Sequence, residues 1–262
     1  MTTDPVMSKP VSRDPERALW DRLRAHTRSR IGLGRAGDAL NTAAVLDLSA
    51  AHAAARDAVH SAVDIDAVVA GLREHVSDVP IVASQAPDRS TYLRRPDLGR
   101  LPDDLSTLPK SSPDIAIVVC DGLSAKAVTD HAVPMVAALL AALPPATTTE
   151  VVIATQARVA LGDHIAEALG ADAVVVLIGE RPGLSVADSL GAYLSYRPRP
   201  GMADSERNCV SNIHPHGLSY RRASAIVVAL LAGAKALGRS GVDLKDTSVE
   251  ELISGEAVAE LH

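Results

Sequence analysis

Phenylalanine is absent from this 262-residue chain, and one Trp and four Tyr are its only other large aromatics. Stacking platforms for bases or sugar rings are therefore not expected. Cysteine occurs twice, as Cys120 and Cys209. Two thiols cannot make a disulfide framework, so a reducing compartment is expected. Positive charge is in deficit: 26 Lys and Arg stand against 32 Asp and Glu, for a net charge of −6. No broad basic face is left for a phosphate backbone, which argues against a general nucleic-acid binder. No apolar run free of charge reaches about 18 residues, the length of a membrane-spanning helix. The opening Met1-Thr-Thr-Asp-Pro-Val-Met-Ser8 lacks the apolar core of a secretory signal. What is plentiful is Ala and Val, in a chain 47% hydrophobic and long enough to bury a full core.

Residues 1–13, rich in Pro, Ser and Thr, read as a flexible tail. Residues 14–78 read as a helical N-terminal region. Leu19, Trp20 and Leu23 share one side of a first helix, and a second runs from Thr42 to His60 with a small-residue face. A third covers Ile65 to His75. Residues 79–242 change character. Ile115-Ala-Ile-Val-Val-Cys120, Val151-Val-Ile-Ala-Thr155 and Ala173-Val-Val-Val-Leu-Ile178 are apolar runs of strand length. Helical stretches to Leu143 and from Val159 to Leu169 separate them. The alternation predicts an α/β, Rossmann-like domain: a mostly parallel sheet flanked by helices. Leu190 to Tyr196 reads as a further strand and Ala223 to Leu237 as a long helix. Residues 243–262 form an acidic C-terminal extension.

In such a sheet, ligands bind beyond the carboxyl ends of the strands. Polar groups come directly after each apolar run: Asp121 and Ser124, then Arg158, then Glu180 and Arg181. Asp121 and Ser124 read first as helix caps, and Glu180-Arg181 as either a site or an ordinary turn. Gly32-x-Gly34-x-x-Gly37 matches a dinucleotide fingerprint in letters. That fingerprint needs a strand before it, and residues 20–30 read as charged helix, so a close-packed loop is the better reading. Arg24, Arg28, Arg30 and Arg35 around it suggest either an acidic partner or a solvated face.

Two further segments stand out. Residues 207–217, which include Cys209, His214 and His216, read as a polar loop between the last strand and last helix. Their spacing matches no usual zinc pattern, and no nucleophile elbow surrounds Cys209. A loop closing over a ligand best explains so many polar residues. Tyr92-Leu-Arg-Arg-Pro-Asp-Leu-Gly-Arg100 reads as a surface loop or a subunit interface.

Five segments, taken in order, resemble one family. They are Arg30-Ile-Gly-Leu-Gly-Arg-Ala-Gly37, Leu93-Arg-Arg-Pro-Asp-Leu-Gly-Arg100, Asp121-Gly-Leu-Ser124, Gly179-Glu-Arg-Pro-Gly-Leu184 and Cys209-Val-Ser-Asn-Ile-His214. They are similar to the small (light) subunit of ethanolamine ammonia-lyase. The resemblance implies an adenosylcobalamin-dependent carbon–nitrogen lyase that turns ethanolamine into acetaldehyde and ammonia by a radical route. It implies a large (heavy) TIM-barrel subunit that carries the catalytic residues, a cofactor held between the subunits, and a hexamer of large–small pairs. No catalytic residue is therefore expected on this chain. Val159, Glu180 and Cys209 match cofactor-binding positions of the family. The cofactor keeps its own dimethylbenzimidazole on cobalt (base-on), so no metal ligand is expected here. In agreement, the chain has no Asp-x-His-x-x-Gly loop: Asp130-His131 and Asp163-His164 are adjacent pairs. The helical region 14–78 is expected to dock on the large subunit. The resemblance places the complex in the bacterial cytoplasm, free or in a bacterial microcompartment. The competing reading is a self-contained NAD oxidoreductase built on Gly32, which requires a strand before that glycine. A third is an assembly partner that touches no cofactor.

Overall fold

The computed structural model describes residues 15–246 except Arg28. The tail 1–13, Asp14, Arg28 of the basic cluster and residues 247–262 of the extension lie outside the described residues. The chain forms two compact units that divide between Ala54 and Ala55.

The first unit contains helix α1 (Pro15–Ala25) and most of α2 (Thr42–His60). Glu16 in the first turn of α1 and Arg22 and Arg24 in its last turn complement the helix dipole. Gly32 has a φ of +56°, and a Cβ there would lie 2.2 Å from the Trp20 ring. Only glycine lets the loop close on the indole. Asn41 ties loop to helix: its Oδ1 accepts from Ala44 N–H at 2.9 Å, and its Nδ2 donates to the Leu33 carbonyl at 2.6 Å. A helix, not a strand, precedes Gly32. The dinucleotide reading therefore lacks the strand whose end would aim a pyrophosphate at the next helix.

In the second unit come α3 (Ile65–Leu72), β1 (Ile81–Ala83), α4 (Arg89–Arg94), β2 (Ile115–Cys120), α5 (Ala125–Ala142) and β3 (Thr149–Thr155). After them come α6 (Leu161–Leu169), β4 (Ala173–Gly179), β5 (Leu190–Tyr196), β6 (Asn208–Ile213) and α7 (Tyr220–Leu237). The architecture is α/β, with one six-stranded sheet in the order β1-β3-β2-β4-β5-β6. The first four strands in that order are parallel; β5 and β6 are antiparallel additions. A parallel neighbour requires a crossover element. Residues 180–189 hold no helix, so β5 can only turn back along β4.

Successive side chains of a strand face opposite ways. Ile115, Ile117 and Val119 join one apolar cluster with α3, α5 and α7, while Ala116, Val118 and Cys120 join a second with α6. Strands buried on both faces need the unbroken apolar runs seen in the sequence. Among the described helices α5 alone has the length and apolarity of a membrane span. Those properties serve the core, because Val128, Ala132, Met135, Val136 and Leu139 are all buried within it.

Two expectations fail against this fold. Residues 208–213 are not a loop but the edge strand β6, paired with β5 and, at its last residue, bridged to Leu218. An edge strand keeps one side in water, and polar residues there discourage pairing with other chains. Its polarity hid its conformation. Tyr92 is not on a surface loop: it lies in the short helix α4 and is 0% exposed.

Candidate functional site

A cleft of about 490 Å³ opens beyond the carboxyl ends of β2, β3 and β4. Val159, Glu180, Arg158, Arg181 and Tyr193 line it, with Tyr92 at its base. Its shape depends on backbone contact between two strand ends. Gly122 has a φ of +57°, and a Cβ on it would lie 2.2 Å from the Gly179 carbonyl oxygen. A Cβ on Gly179 would lie 2.1 Å from the Ser124 carbonyl. The Leu123 N–H donates to the Gly179 carbonyl at 2.8 Å.

Asp121 and Ser124 are scaffold rather than ligand groups. Ser124 caps α5: its Oγ accepts from Ala127 N–H at 3.2 Å and donates to the Ala187 carbonyl at 2.8 Å. Asp121 caps no helix. It reaches across to the next strand's loop, accepting from Gln156 N–H at 2.8 Å and Ala157 N–H at 2.9 Å. Burial pushes its carboxyl up from the usual carboxylate range, against the two amides and Arg89, which favour the charged form. Arg89 Nη1 lies 3.6 Å from the Asp121 carboxylate and donates to the Gly122 carbonyl at 2.7 Å.

Tyr92 lies beneath this loop. Its hydroxyl donates to the Ala157 carbonyl at 3.1 Å. The Arg158 and Arg89 guanidinium carbons lie 4.4 and 4.9 Å from its ring centroid, within cation–π range. Arg158 N–H donates to the Gly99 carbonyl at 2.8 Å. Val159 thus comes after a segment fixed from below and from the side.

The far wall comes from the antiparallel strands. Tyr193 and Cys209 are cross-strand partners on β5 and β6, and Cys209 is exposed. Desolvation pushes the Cys209 thiol up; the neighbouring Tyr193 hydroxyl opposes this and the Glu180 carboxylate adds to it. The thiol is thus not an activated nucleophile. Glu180 Oε2 accepts from Asn212 N–H at 3.2 Å, beside the register shift between Leu190 and Ala192. Gly191 gives room there, since a Cβ on it would lie 3.1 Å from Glu180 Oε1.

Of the three residues singled out from the sequence, the cleft brings two together. Val159 and Glu180 line the cleft, whereas Cys209 does not; it is exposed on β6, opposite the cleft residue Tyr193. Arg158 and Arg181 are on the same rim. Arg89, Tyr92 and Tyr193 are site residues that sequence reasoning misses. Tyr193 carried a signal: with Gly191 and Ser195 it stands out of phase with the apolar residues Leu190, Ala192 and Leu194. Arg89 carried none.

The wall suits a large, amide-fringed ligand such as a corrinoid. It offers a carboxylate acceptor at Glu180, guanidinium donors at Arg158 and Arg181, and apolar surface at Leu123 and Val159. Of the cleft residues, Arg158 has a buried Nε with no hydrogen-bond partner among the described residues, unmet polar capacity at the cleft wall. Elsewhere, Asp130, His131 and Asp188 have ligand-type atoms within 4.8 Å of one another. Lys126 already pairs with Asp130, and the Tyr220 hydroxyl lies 2.8 Å from His131 Nδ1. In residues 207–217, the His214 ring closes its own turn, with Nε2 3.0 Å from Asn212 Oδ1 and Nδ1 accepting from His216 N–H.

A family model described as ethanolamine ammonia-lyase light chain matches residues 17–245. A Rhodococcus erythropolis protein named ethanolamine ammonia-lyase small subunit is 53% identical over 250 residues, covering 92% of this chain and 95% of that one. Proteins of the same name from Bradyrhizobium diazoefficiens and Azotobacter vinelandii are 48% and 46% identical. Each covers 90% of this chain, and the alignments span 93% and 91% of those proteins. The chain belongs to the ethanolamine ammonia-lyase light-chain family.

Proposed function

We propose that this family member is the cofactor-gripping small subunit of an adenosylcobalamin-dependent ethanolamine ammonia-lyase, active only with its large subunit. The complex converts ethanolamine into acetaldehyde and ammonia. The observation that supports the reading is the convergence of Val159 and Glu180 on one cleft, with Cys209 opposite Tyr193 of its wall in the sheet register.

Adenosylcobalamin, when bound base-on, supplies the radical that starts the reaction. This chain's residues do the binding. Glu180 accepts hydrogen bonds from the cofactor's amide or hydroxyl groups. Val159 gives an apolar contact beside it. Cys209 and Tyr193 close the wall, and none of the three family positions performs chemistry on ethanolamine. A half-exposed wall suits a site whose other half belongs to a TIM-barrel large subunit. Residues 14–78 supply docking surface for that subunit: Leu19, Leu23, Leu40, Val45 and Leu46 are all exposed, more apolar side chains than a lone surface needs. Six large–small pairs make the assembly, in the bacterial cytoplasm or in a microcompartment there.

Co-expression with the large subunit, followed by an acetaldehyde assay with and without adenosylcobalamin, tests the activity. Activity that needs both is expected; acetaldehyde formed without cofactor overturns the reading. For the site, Glu180→Gln in the reconstituted complex weakens cobalamin binding by about tenfold, as expected for a charge-assisted hydrogen bond. Unchanged affinity in both Glu180→Gln and Cys209→Ala would remove the site assignment.

A further inference from the structure

We propose that Asp121 and Tyr92 are positioning residues that lock residues 156–159 as one rigid wall of the cofactor cleft. The inference rests on the proposed cofactor site and adds to it a dedicated support beneath Val159.

Gln156 has a φ of +51°, a left-handed conformation that a residue with a side chain rarely adopts. Such a residue persists only where its surroundings over-determine it. Here they do. Asp121 takes the N–H groups of both Gln156 and Ala157, so each carboxylate oxygen holds one amide. Ser84 Oγ donates to the Gln156 carbonyl at 2.6 Å. Tyr92 takes the next carbonyl, that of Ala157. The adjoining amide, of Arg158, is held by Gly99. Three consecutive amides and two carbonyls are thus assigned before Val159 is reached.

The support itself is buried and braced. Asp121 is 7% exposed and Tyr92 0%. Arg89 contacts both, lying over the Tyr92 ring and beside Asp121, while its Nε donates to the Val59 carbonyl at 2.8 Å. A buried carboxylate is costly unless paired. A loop needing only closure would be made with glycine and proline. A charged anchor aimed at two amides instead fixes the direction in which the chain leaves the loop, and that direction brings Val159 onto the cleft.

The test uses the reconstituted large–small complex. Tyr92→Phe removes only the hydroxyl, and Asp121→Asn leaves one acceptor while placing a donor against an amide donor. Amide hydrogen exchange across residues 156–159 is read together with exchange in β4 as a control on folding. Expected in both variants are exchange faster by about tenfold at 156–159, with β4 unaltered, and a cofactor half-saturation raised by about tenfold. The rate at saturating cofactor falls by less than the half-saturation rises. If exchange at 156–159 is unaltered in Tyr92→Phe, the inference is overturned, even should Asp121→Asn fail to fold. If the segment loosens and cofactor affinity is unchanged, the inference is also overturned. Glu180→Gln then separates the two readings: weakened binding there preserves the cofactor site, and unchanged binding removes it too.

Discussion

At Gly122 two requirements meet. The backbone is left-handed, and the Gly179 carbonyl sits where a side chain would begin. A Cβ 2.2 Å from a backbone oxygen cannot be relieved by a rotamer change, because the obstructing atom is main chain at the end of a central strand. Gly122→Ala is therefore expected to destabilise by about 3 kcal/mol or more, combining overlap and strain. Urea unfolding monitored by far-UV circular dichroism measures it, and a loss under about 1 kcal/mol would mean that the strand ends move apart freely. By contrast, a Cβ on Gly37 would meet nothing within 4 Å. There only the positive φ of +64° disfavours a side chain. Glycines identical in the sequence thus differ in what they hold.

Among elements, α6 is joined to the start of β6 by a buried ion pair. Arg207 donates through Nη1 and Nη2 to the two Asp163 oxygens, each at 2.6 Å, and to Ser195 Oγ and the Met202 carbonyl. Both side chains are almost wholly excluded from water, at 2% and 0% exposure. Removing one partner leaves the other charge buried and unpaired. Arg207→Met is expected to cost about 3–5 kcal/mol, and Asp163→Leu with Arg207→Met together far less than the sum. A double-mutant cycle in urea measures the coupling; additive losses would show that the pair is not a unit. Such a pin makes sense for β6. An edge strand has few ladder bonds of its own, and this one sets Cys209 opposite Tyr193, a residue of the cleft wall.

For the whole molecule, burial is unequal between the two units. Among the described residues up to Ala54 only Ala44 is buried, whereas the sheet of the second unit has two full apolar clusters. A segment without its own core opens at low free-energy cost. The only tryptophan, Trp20, lies in that first unit. In the isolated chain, Trp emission is expected to change at lower urea than far-UV circular dichroism, and to merge with it once the large subunit is bound. Coincident transitions in the isolated chain would show that the first unit folds as one with the sheet.

The sequence alone determined the central strands nearly to the residue, because a strand buried on both faces must be apolar at every position. It also determined the helix before Gly32, and through five ordered motifs the family. What it could not determine was anything set by contact across long separations. Residues 208–213 look like a loop because an edge strand is allowed to be polar. Asp121 looks like a helix cap because its partners, the amides of Gln156 and Ala157, lie 35 and 36 residues away. The turning back of β5, the place of Tyr92 under the cleft and the meeting of Cys209 with Tyr193 were likewise decided only by the tertiary structure. Local periodicity records which face of an element is buried, whereas the partner across the sheet is chosen by how the whole chain closes.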